Sequence, residues 1–452
     1  MTFDNFRARV EETASALGLT EYELYYTEED SRSVSASEGV LQEFSSDVTA
    51  GATFRCKNGG KMGYCSTELL SEEEADRIVR SAAENAATLE TADETVIFAG
   101  SPSYPDTESR ETRDASTADM SALAISLYEA ALAADPRVQA SSQARAAQER
   151  YSVRLVNSAG LDLRRSGTLQ MAVQSAIIRE GTEQYNSSEY VIGSLQETDL
   201  QTLAGEAVKK ALDKISGAPV PSGSYNIIFE NRCFASLLSA FSGIFSAKNA
   251  QQGMSLLAGR EGDTIAAACV TLTDDPFCGD HQAAFDDEGV ATRKKNVIEK
   301  GVFQTLLYNL QTAKKAGRES TGNGSRAGYA SPVEIAPFNF YLQPGVASAE
   351  ELYQAASAES LGLLITDLAG LHAGLNPITG DFSLMASGYR LENGCKTTFV
   401  NGITVSGNFY TLLKDIRCVA ADLDFGFPRG TMRFGSPSVF AGMMSVAGKE
   451  TA

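Results

Sequence analysis

Two periodicities alternate along the first half of the chain. Phe3, Phe6, Val10 and Leu17 recur at helical spacing and predict an opening amphipathic helix that Gly18 closes. Alternation over residues 21–27 predicts a strand, as it does over 33–38, 40–48 and 50–57, and Asn58-Gly59-Gly60 supplies a tight hairpin turn. Ser71 with Glu74 forms a capping box for a helix running to about Leu89. Residues 99–116 are rich in Ser, Pro, Asp and Thr and read as a loop. The pattern then returns. Met120, Leu123, Ala124, Leu127 and Ala131 mark a helix that stops before Pro136. Strands follow near 137–144, 151–157, 161–166 and 168–179, with a turn at Asn157-Ser158-Ala159-Gly160, and then a helix through Leu200, Leu203, Ala207, Ala211 and Ile215. Helix, meander, helix thus occurs twice before residue 217, as an internal pseudo-repeat or as a common α+β grammar.

Residues 217–224, with two prolines and two glycines, form the best linker, and the pattern changes beyond it. Tyr225–Glu230 reads as a strand and 233–247 as an apolar helix. Strands are expected near 291–299 and 302–308, joined at Lys300-Gly301, and Ser348 with Glu351 caps another helix. From 363 to 446, short apolar runs alternate with Gly, Asn and Pro. The expected fold class is α+β. An N-terminal α+β domain, 1–220, has antiparallel strands flanked by helices, and a β-rich, sandwich- or barrel-like domain spans 221–452.

Composition narrows what such a chain does. Its 452 residues carry a formal net charge of −20, which removes the electrostatic term that dominates nucleic-acid binding, so no direct nucleic-acid partner is expected. The basic clusters Arg293-Lys294-Lys295 and Lys314-Lys315 read as solvated faces. Seven widely spaced cysteines, odd in number and without CxxC, argue against a disulfide framework and a zinc ribbon. The first ten residues contain no apolar signal-peptide region, and no run approaches the roughly 18 apolar residues of a membrane span, so a cytoplasmic location without membrane contact is expected.

His281 and His372 are the only histidines, which excludes an HExxH zinc site. His281 lies beside Asp280 and near Cys278, a conceivable metal cluster, although a polar loop is the preferred reading. Neither a GxSxG elbow nor a Walker A sequence occurs. Thr321-Gly322-Asn323-Gly324-Ser325 can present backbone N–H groups to an anion but reads more readily as a turn. Asp274, Asp275, Asp286, Asp287 and Glu288 place five acids close together without EF-hand spacing. Carboxylates bonded to nearby backbone N–H groups are the simpler account.

Taken in order, several strings resemble the TldD/PmbA family, described as modulators of DNA gyrase and as peptidase-related proteins. They include Gly39-Val40, Glu43-Phe44, Gly63-Tyr64 and Asn157-Ser158-Ala159-Gly160 in the N-terminal half. In the C-terminal half they include residues 255–262, Asp286-Asp287-Glu288-Gly289-Val290, Ser320-Thr321-Gly322-Asn323, residues 376–383, Ala386-Ser387-Gly388, Glu392-Asn393-Gly394 and Gly435-Ser436-Pro437-Ser438. TldD-type members carry an HExxxH zinc motif on the helix after the first C-terminal strand, completed by a distant cysteine. PmbA, or TldE, members lack it. The equivalent stretch here is residues 237–244, with Ser239 in place of the first histidine, Ala240 in place of the general-base glutamate and Ile244 in place of the second histidine. The cysteine is expected within roughly 420–430, where none occurs. The resemblance therefore implies a PmbA/TldE-like chain with no catalytic residues, metal or cofactor of its own. It implies pairing with a TldD-type subunit that holds the zinc, in a heterodimer or larger assembly, or self-pairing as a homodimer, with small peptides or unfolded segments as substrate. Two other readings stand beside it: a non-proteolytic homodimeric binding or regulatory protein of the gyrase-modulator type, and an enzyme using Asp286, Asp287, Glu288 and His281.

Overall fold

The structure, a computed structural model, describes residues 1–90, 95–107, 113–279, 282–358, 360–430 and 432–449. The chain forms two compact units. Unit 1 comprises Met1–Ile215 with two later segments, Gly279–Thr292 and Gly324–Glu334; unit 2 comprises Ser216–Cys278, Arg293–Asn323 and Ile335–Ala452.

Unit 1 runs α1 (Phe3–Ala16), β1 (Tyr22–Ser37), β2 (Val40–Asn58), β3 (Lys61–Thr67), α2 (Glu72–Thr88), α3 (Thr117–Ala134), β4 (Gln143–Asn157), β5 (Asp162–Glu180), β6 (Glu183–Ile192) and α4 (Leu200–Asp213). The strands form one antiparallel sheet in the order β3-β2-β1-β4-β5-β6, so the two meanders meet along β1 and β4, from Glu23 opposite Asn157 to Ala36 opposite Ala144. The four short strands expected over 21–57 are two long ones. The polar stretches that looked like breaks are bridged by ladder hydrogen bonds, which are indifferent to side-chain polarity. The turn between the two long strands is Glu38-Gly39, both left-handed at φ 52° and 78°, the geometry that matches strand twist. β6 had no apolar alternation to announce it, because Glu183–Ile192 is a largely polar edge strand. Leu24, Tyr26 and Val34 on β1 point to the helices. The alternate residues Glu23 and Tyr25 point to the opposite face. α2 forms half of its expected capping box: Ser71 accepts from the Glu74 N–H, but the Glu74 carboxylate accepts instead from Thr67 and Arg77.

Unit 2 opens with β7 (Gly223–Phe229) and contains a closed five-stranded barrel. Around it run Cys395–Asn408, Asp381–Glu392, Gly362–Ala369, β7 and Val439–Ala447, and pairing of Thr404–Ser406 with Ser445–Ala447 completes the ring. Closure removes the sheet edges. β7 pairs parallel to Gly362–Ala369, a connection made across a long intervening stretch of chain. A second sheet of short strands includes Leu272–Asp274, Lys295–Glu299 and Asn339–Leu342, with the expected turn at Lys300-Gly301. Ser348 and Glu351 form the complete, reciprocal capping box on Ala349–Ser357. The fold is α+β. No helix among the described residues is long and apolar enough to cross a membrane.

Candidate functional site

The helix singled out by sequence, α5 (Asn231–Phe241), follows β7 directly. Its start is anchored by Asn231, whose Nδ2 donates to the Asp422 carbonyl at 3.0 Å, and by Arg232, whose Nε donates to Asp424 Oδ2 at 2.7 Å. Cys233, Phe234, Leu237, Leu238 and Phe241 are buried in the unit 2 core, and Phe241 stacks on Phe409 with ring centroids 4.6 Å apart. Burial pushes the Cys233 thiol well up, so it stays protonated and is no nucleophile. Ser239 and Ala240 lie on the partly exposed side. The Ser239 Oγ is buried and has no hydrogen-bond partner among the described residues. Ile244 lies past the end of α5, on the 3-10 turn Ser242–Phe245, and its side chain is fully buried in the core. The helix expected over 233–247 therefore ends six residues early as an α-helix, because Phe241, Ile244 and Phe245 all turn inward. A hydroxyl, a methyl and a branched alkyl group offer neither imidazole nor carboxylate, so this donor set does not fit zinc.

The acidic stretch plays a different part. In unit 1, Asp287 accepts three hydrogen bonds. Its Oδ1 accepts from Tyr25 Oη at 2.8 Å and Arg165 Nη2 at 2.6 Å, and its Oδ2 accepts from the Arg326 N–H at 2.8 Å. Asp286 accepts from the backbone N–H groups of Glu288, Val290 and Gly324 at 3.0, 2.9 and 2.7 Å. Glu288 reaches the same glycine: a Cβ on Gly324 would stand 2.7 Å from Glu288 Cγ and 3.1 Å from Asp286 Oδ2. Next to this cluster lies a triad the sequence did not announce. Glu23 accepts from Arg55 Nη2 and Arg326 Nη2, each at 2.8 Å, and all three side chains are about 1% exposed or less. The Arg326 guanidinium lies over the Tyr25 ring at 4.4 Å. These charges hold the two late-arriving segments onto the face of the sheet turned away from the helices. Among the described residues, no group of three or more His, Cys, Asp or Glu side chains is arranged to hold a metal ion.

Asp286 is pushed up to about 8, first by burial and second by the charge of Glu288; three backbone donors pull the other way and lose. Folded, it keeps its proton to about pH 8; unfolded, it releases it near its ordinary 3.8. The folded state binds more protons across that window, so this pair makes stability fall as pH rises from about 4 to about 8. Glu288→Gln removes the repelling charge, and calorimetry between pH 5 and 8 is expected to show a shallower decline than in the parent.

In unit 2, Asp274 is fully buried and accepts from Lys295 Nζ and Asn323 Nδ2, each at 2.8 Å, and from the Phe338 N–H at 2.7 Å. Asn323 in turn accepts from Thr321 Oγ1 at 2.7 Å. The Gly-rich stretch that could have cradled an anion is thus a pinned turn. Asp274, Lys295 and Asn323 fix the points where the chain leaves unit 2 and re-enters it. Asp280 and His281 lie outside the described residues, and His372 is exposed on the turn after Gly370.

A sheet flanked by helices and a closed barrel whose strand β7 runs directly into the buried helix α5 define a two-unit α+β protein. The comparisons put a family to it: the chain belongs to the PmbA/TldD family. The family's metallopeptidase C-terminal domain matches residues 222–448, its domain 1 matches 22–86 and its central domain matches 110–215. The metalloprotease PmbA of Escherichia coli O157:H7 is 25% identical over 431 residues, 92% of this chain and 90% of that protein. An uncharacterized Methanocaldococcus jannaschii protein is 30% identical over 267 residues, 58% of this chain and 60% of its own length. Among solved structures, a candidate modulator of a DNA gyrase from Thermotoga maritima superposes with TM-score 0.88 at 30% identity, covering 99% of this chain and all of that one. TldE from Thermococcus kodakarensis has the same fold, with TM-score 0.87 at 22% identity over 98% of this chain and 99% of that one.

Proposed function

We propose that this chain is the PmbA/TldE-like subunit of a TldD/TldE-type metallopeptidase system acting on small peptides or unfolded segments, and that it holds no metal itself. The observation that carries the reading is the donor set of α5: Ser239, Ala240 and the core residue Ile244 stand where the zinc ligands and base of a TldD-type chain are expected. Without imidazoles there is nothing to lower the pKa of a bound water, and without the glutamate there is no base beside it. The zinc then belongs to the partner, and this chain completes the assembly. Support for the partnership is the shared fold with TldE and the family's name. None of the seven cysteines is in a disulfide among the described residues, which suits a cytoplasmic setting.

The test joins metal analysis to a peptide-cleavage assay. The purified chain is expected to carry no stoichiometric zinc and to cleave nothing alone, with zinc-dependent cleavage appearing when a TldD-type subunit is added. Zinc-dependent cleavage by the chain alone would sink the reading. A mixture that never cleaves would favour the non-proteolytic, gyrase-modulator type of role, the description attached to the Thermotoga relative.

A further inference from the structure

We infer that the unit 1 sheet carries a binding site for an ammonium and a carboxylate joined by a short apolar stem, the chemistry of a lysine whose carboxyl group is free. A trough of about 260 Å³ lies across β1, β2, β4 and β5, on the face turned away from the helices and further along β1 than the Glu23 cluster. Small side chains make its floor: Ser31 and Ser33 of β1 and Ser45 of β2. At one end Ser31 is flanked by carboxylates on both sides, Asp47 on β2 and Glu149 on β4, and Glu29 stands two residues back along β1. Asp47 accepts from Ser45 Oγ at 2.9 Å. The Glu29 and Glu149 carboxylates accept no hydrogen bond and pair with no cation among the described residues. Burial first and the charge of Glu29 second push the Glu149 carboxyl up, as befits a carboxylate that lacks a counter-ion.

The other end is basic. Arg145 stands opposite Ser35 of β1, and its Nη2 reaches back along the trough to donate to Ser33 Oγ at 3.1 Å. That is its one side-chain hydrogen bond among the described residues, and it pairs with no carboxylate, so most of its five N–H donors are uncommitted. Next to it the Ser35 hydroxyl, on the same face and 4% exposed, has no hydrogen-bond partner among the described residues. A ligand carboxylate satisfies both groups, the guanidinium through paired N–H···O bonds. Between the two ends Ala147, Leu169 and Met171 form an apolar flank, Ala147 beside Ser33 and Leu169 beside Glu149. Length then selects the ligand. Ser33 and Ser31 are two strand residues apart, roughly 7 Å. An ammonium and a carboxylate separated by five tetrahedral carbons span roughly the same distance when extended. A simple cation satisfies the acidic end alone, and a diamine sets its second ammonium against Arg145. The site lies within unit 1 and uses no residue of α5, so it does not rest on the peptidase reading.

Titration calorimetry of the full chain with ε-aminocaproate is expected to show one saturable site with a Kd on the order of 1 mM or tighter. Cadaverine and hexanoate, each lacking one of the two charges, are expected to bind about tenfold more weakly or worse. Glu29→Gln with Glu149→Gln is expected to weaken ε-aminocaproate about tenfold or more and to leave hexanoate unaffected. Arg145→Gln is expected to weaken ε-aminocaproate to a similar degree and to leave cadaverine no weaker. That crossed pattern, with an unchanged far-UV spectrum, separates loss of the site from loss of the fold. The source of the ligand is read by comparing lysine with Nα-acetyl-lysine. Preference for the acetylated compound assigns the site to the C-terminal lysine of a peptide, and preference for lysine assigns it to the free amino acid. Absence of saturable ε-aminocaproate binding, equal binding of cadaverine, or an affinity unmoved by either set of substitutions would each overturn the inference.

Discussion

Replacing Glu23 with alanine is expected to destabilise unit 1 by about 3–5 kcal/mol, the usual consequence of removing one partner from a buried ion pair. The magnitude follows from what is left behind. Arg55 and Arg326 are both about 1% exposed and both direct an Nη2 at the Glu23 carboxylate, so its removal strands two guanidiniums in a low-dielectric interior. The Nε atoms of both arginines already lack hydrogen-bond partners among the described residues, and the Tyr25 ring beneath Arg326 does not replace a carboxylate. Arg326 belongs to the Gly324–Glu334 segment, so the loss is expected to free that segment first. Limited proteolysis should cut there at a temperature at which the parent resists, and calorimetry should show the unit 1 transition moved down. A triple replacement by apolar side chains, Glu23→Leu with Arg55→Met and Arg326→Met, separates charge from packing. It is expected to recover most of the loss, because the desolvation penalty disappears with the charges. An alanine variant as stable as the parent would show that water enters the cluster.

That triad also marks where sequence reading ends. Glu23 sits near Glu21 and Glu28 at the head of a strand, and a charge in that setting reads as solvent-facing. What buries it is Arg326, arriving 303 residues later on a segment whose sequence, Gly- and Ser-rich, reads as an ordinary turn. Local features were legible because their causes are local. Gly18 after α1, the Asn58-Gly59-Gly60 turn and the reciprocal box of Ser348 and Glu351 all lie within a few residues of what they control. The lengths of β1 and β2 were not legible, since neighbouring strands hold their polar middles in the ladder. Nor was barrel closure, which depends on Val439–Ala447 meeting strands from the start and the middle of unit 2. The candidate site divides the same way. Composition alone showed that histidines are scarce. Placing that scarcity at Ser239, Ala240 and Ile244 took the family resemblance, and periodicity did not foresee that α5 stops at Phe241 and leaves Ile244 in the core.

Several of the strings that carried the resemblance are backbone requirements of the fold, and Gly388 is the sharpest case. It lies in Asp381–Glu392, opposite Ile365, beside a register shift between Ile365 and Asp367. Here the two barrel strands approach so closely that a Cβ on Gly388 would overlap the Leu364 carbonyl oxygen and stand 2.8 Å from its carbon and 3.0 Å from Ile365 Cα. All three are backbone atoms, so no rotamer change relieves the clash. The strand would have to move, and Leu364 and Ile365 are buried members of packed cores, at 0% and 1% exposure. Parallel pairing of Gly362–Ala369 with β7 transmits any such shift to the strand that leads into α5. Gly388→Ala is therefore expected to cost more than about 4 kcal/mol, in the range reserved for core disruption, and to yield little soluble protein. Gly370→Ala is a matched control of opposite character. Its Cβ would meet nothing within 4 Å, and its φ of 86° imposes only local strain, so it is expected to fold with a modest loss. Chemical denaturation of the two variants side by side reads the difference. Near-equal stability would mean the barrel strands can separate at the Gly388–Ile365 crossing, and the closed ring would then be a softer scaffold for α5 than its packing implies.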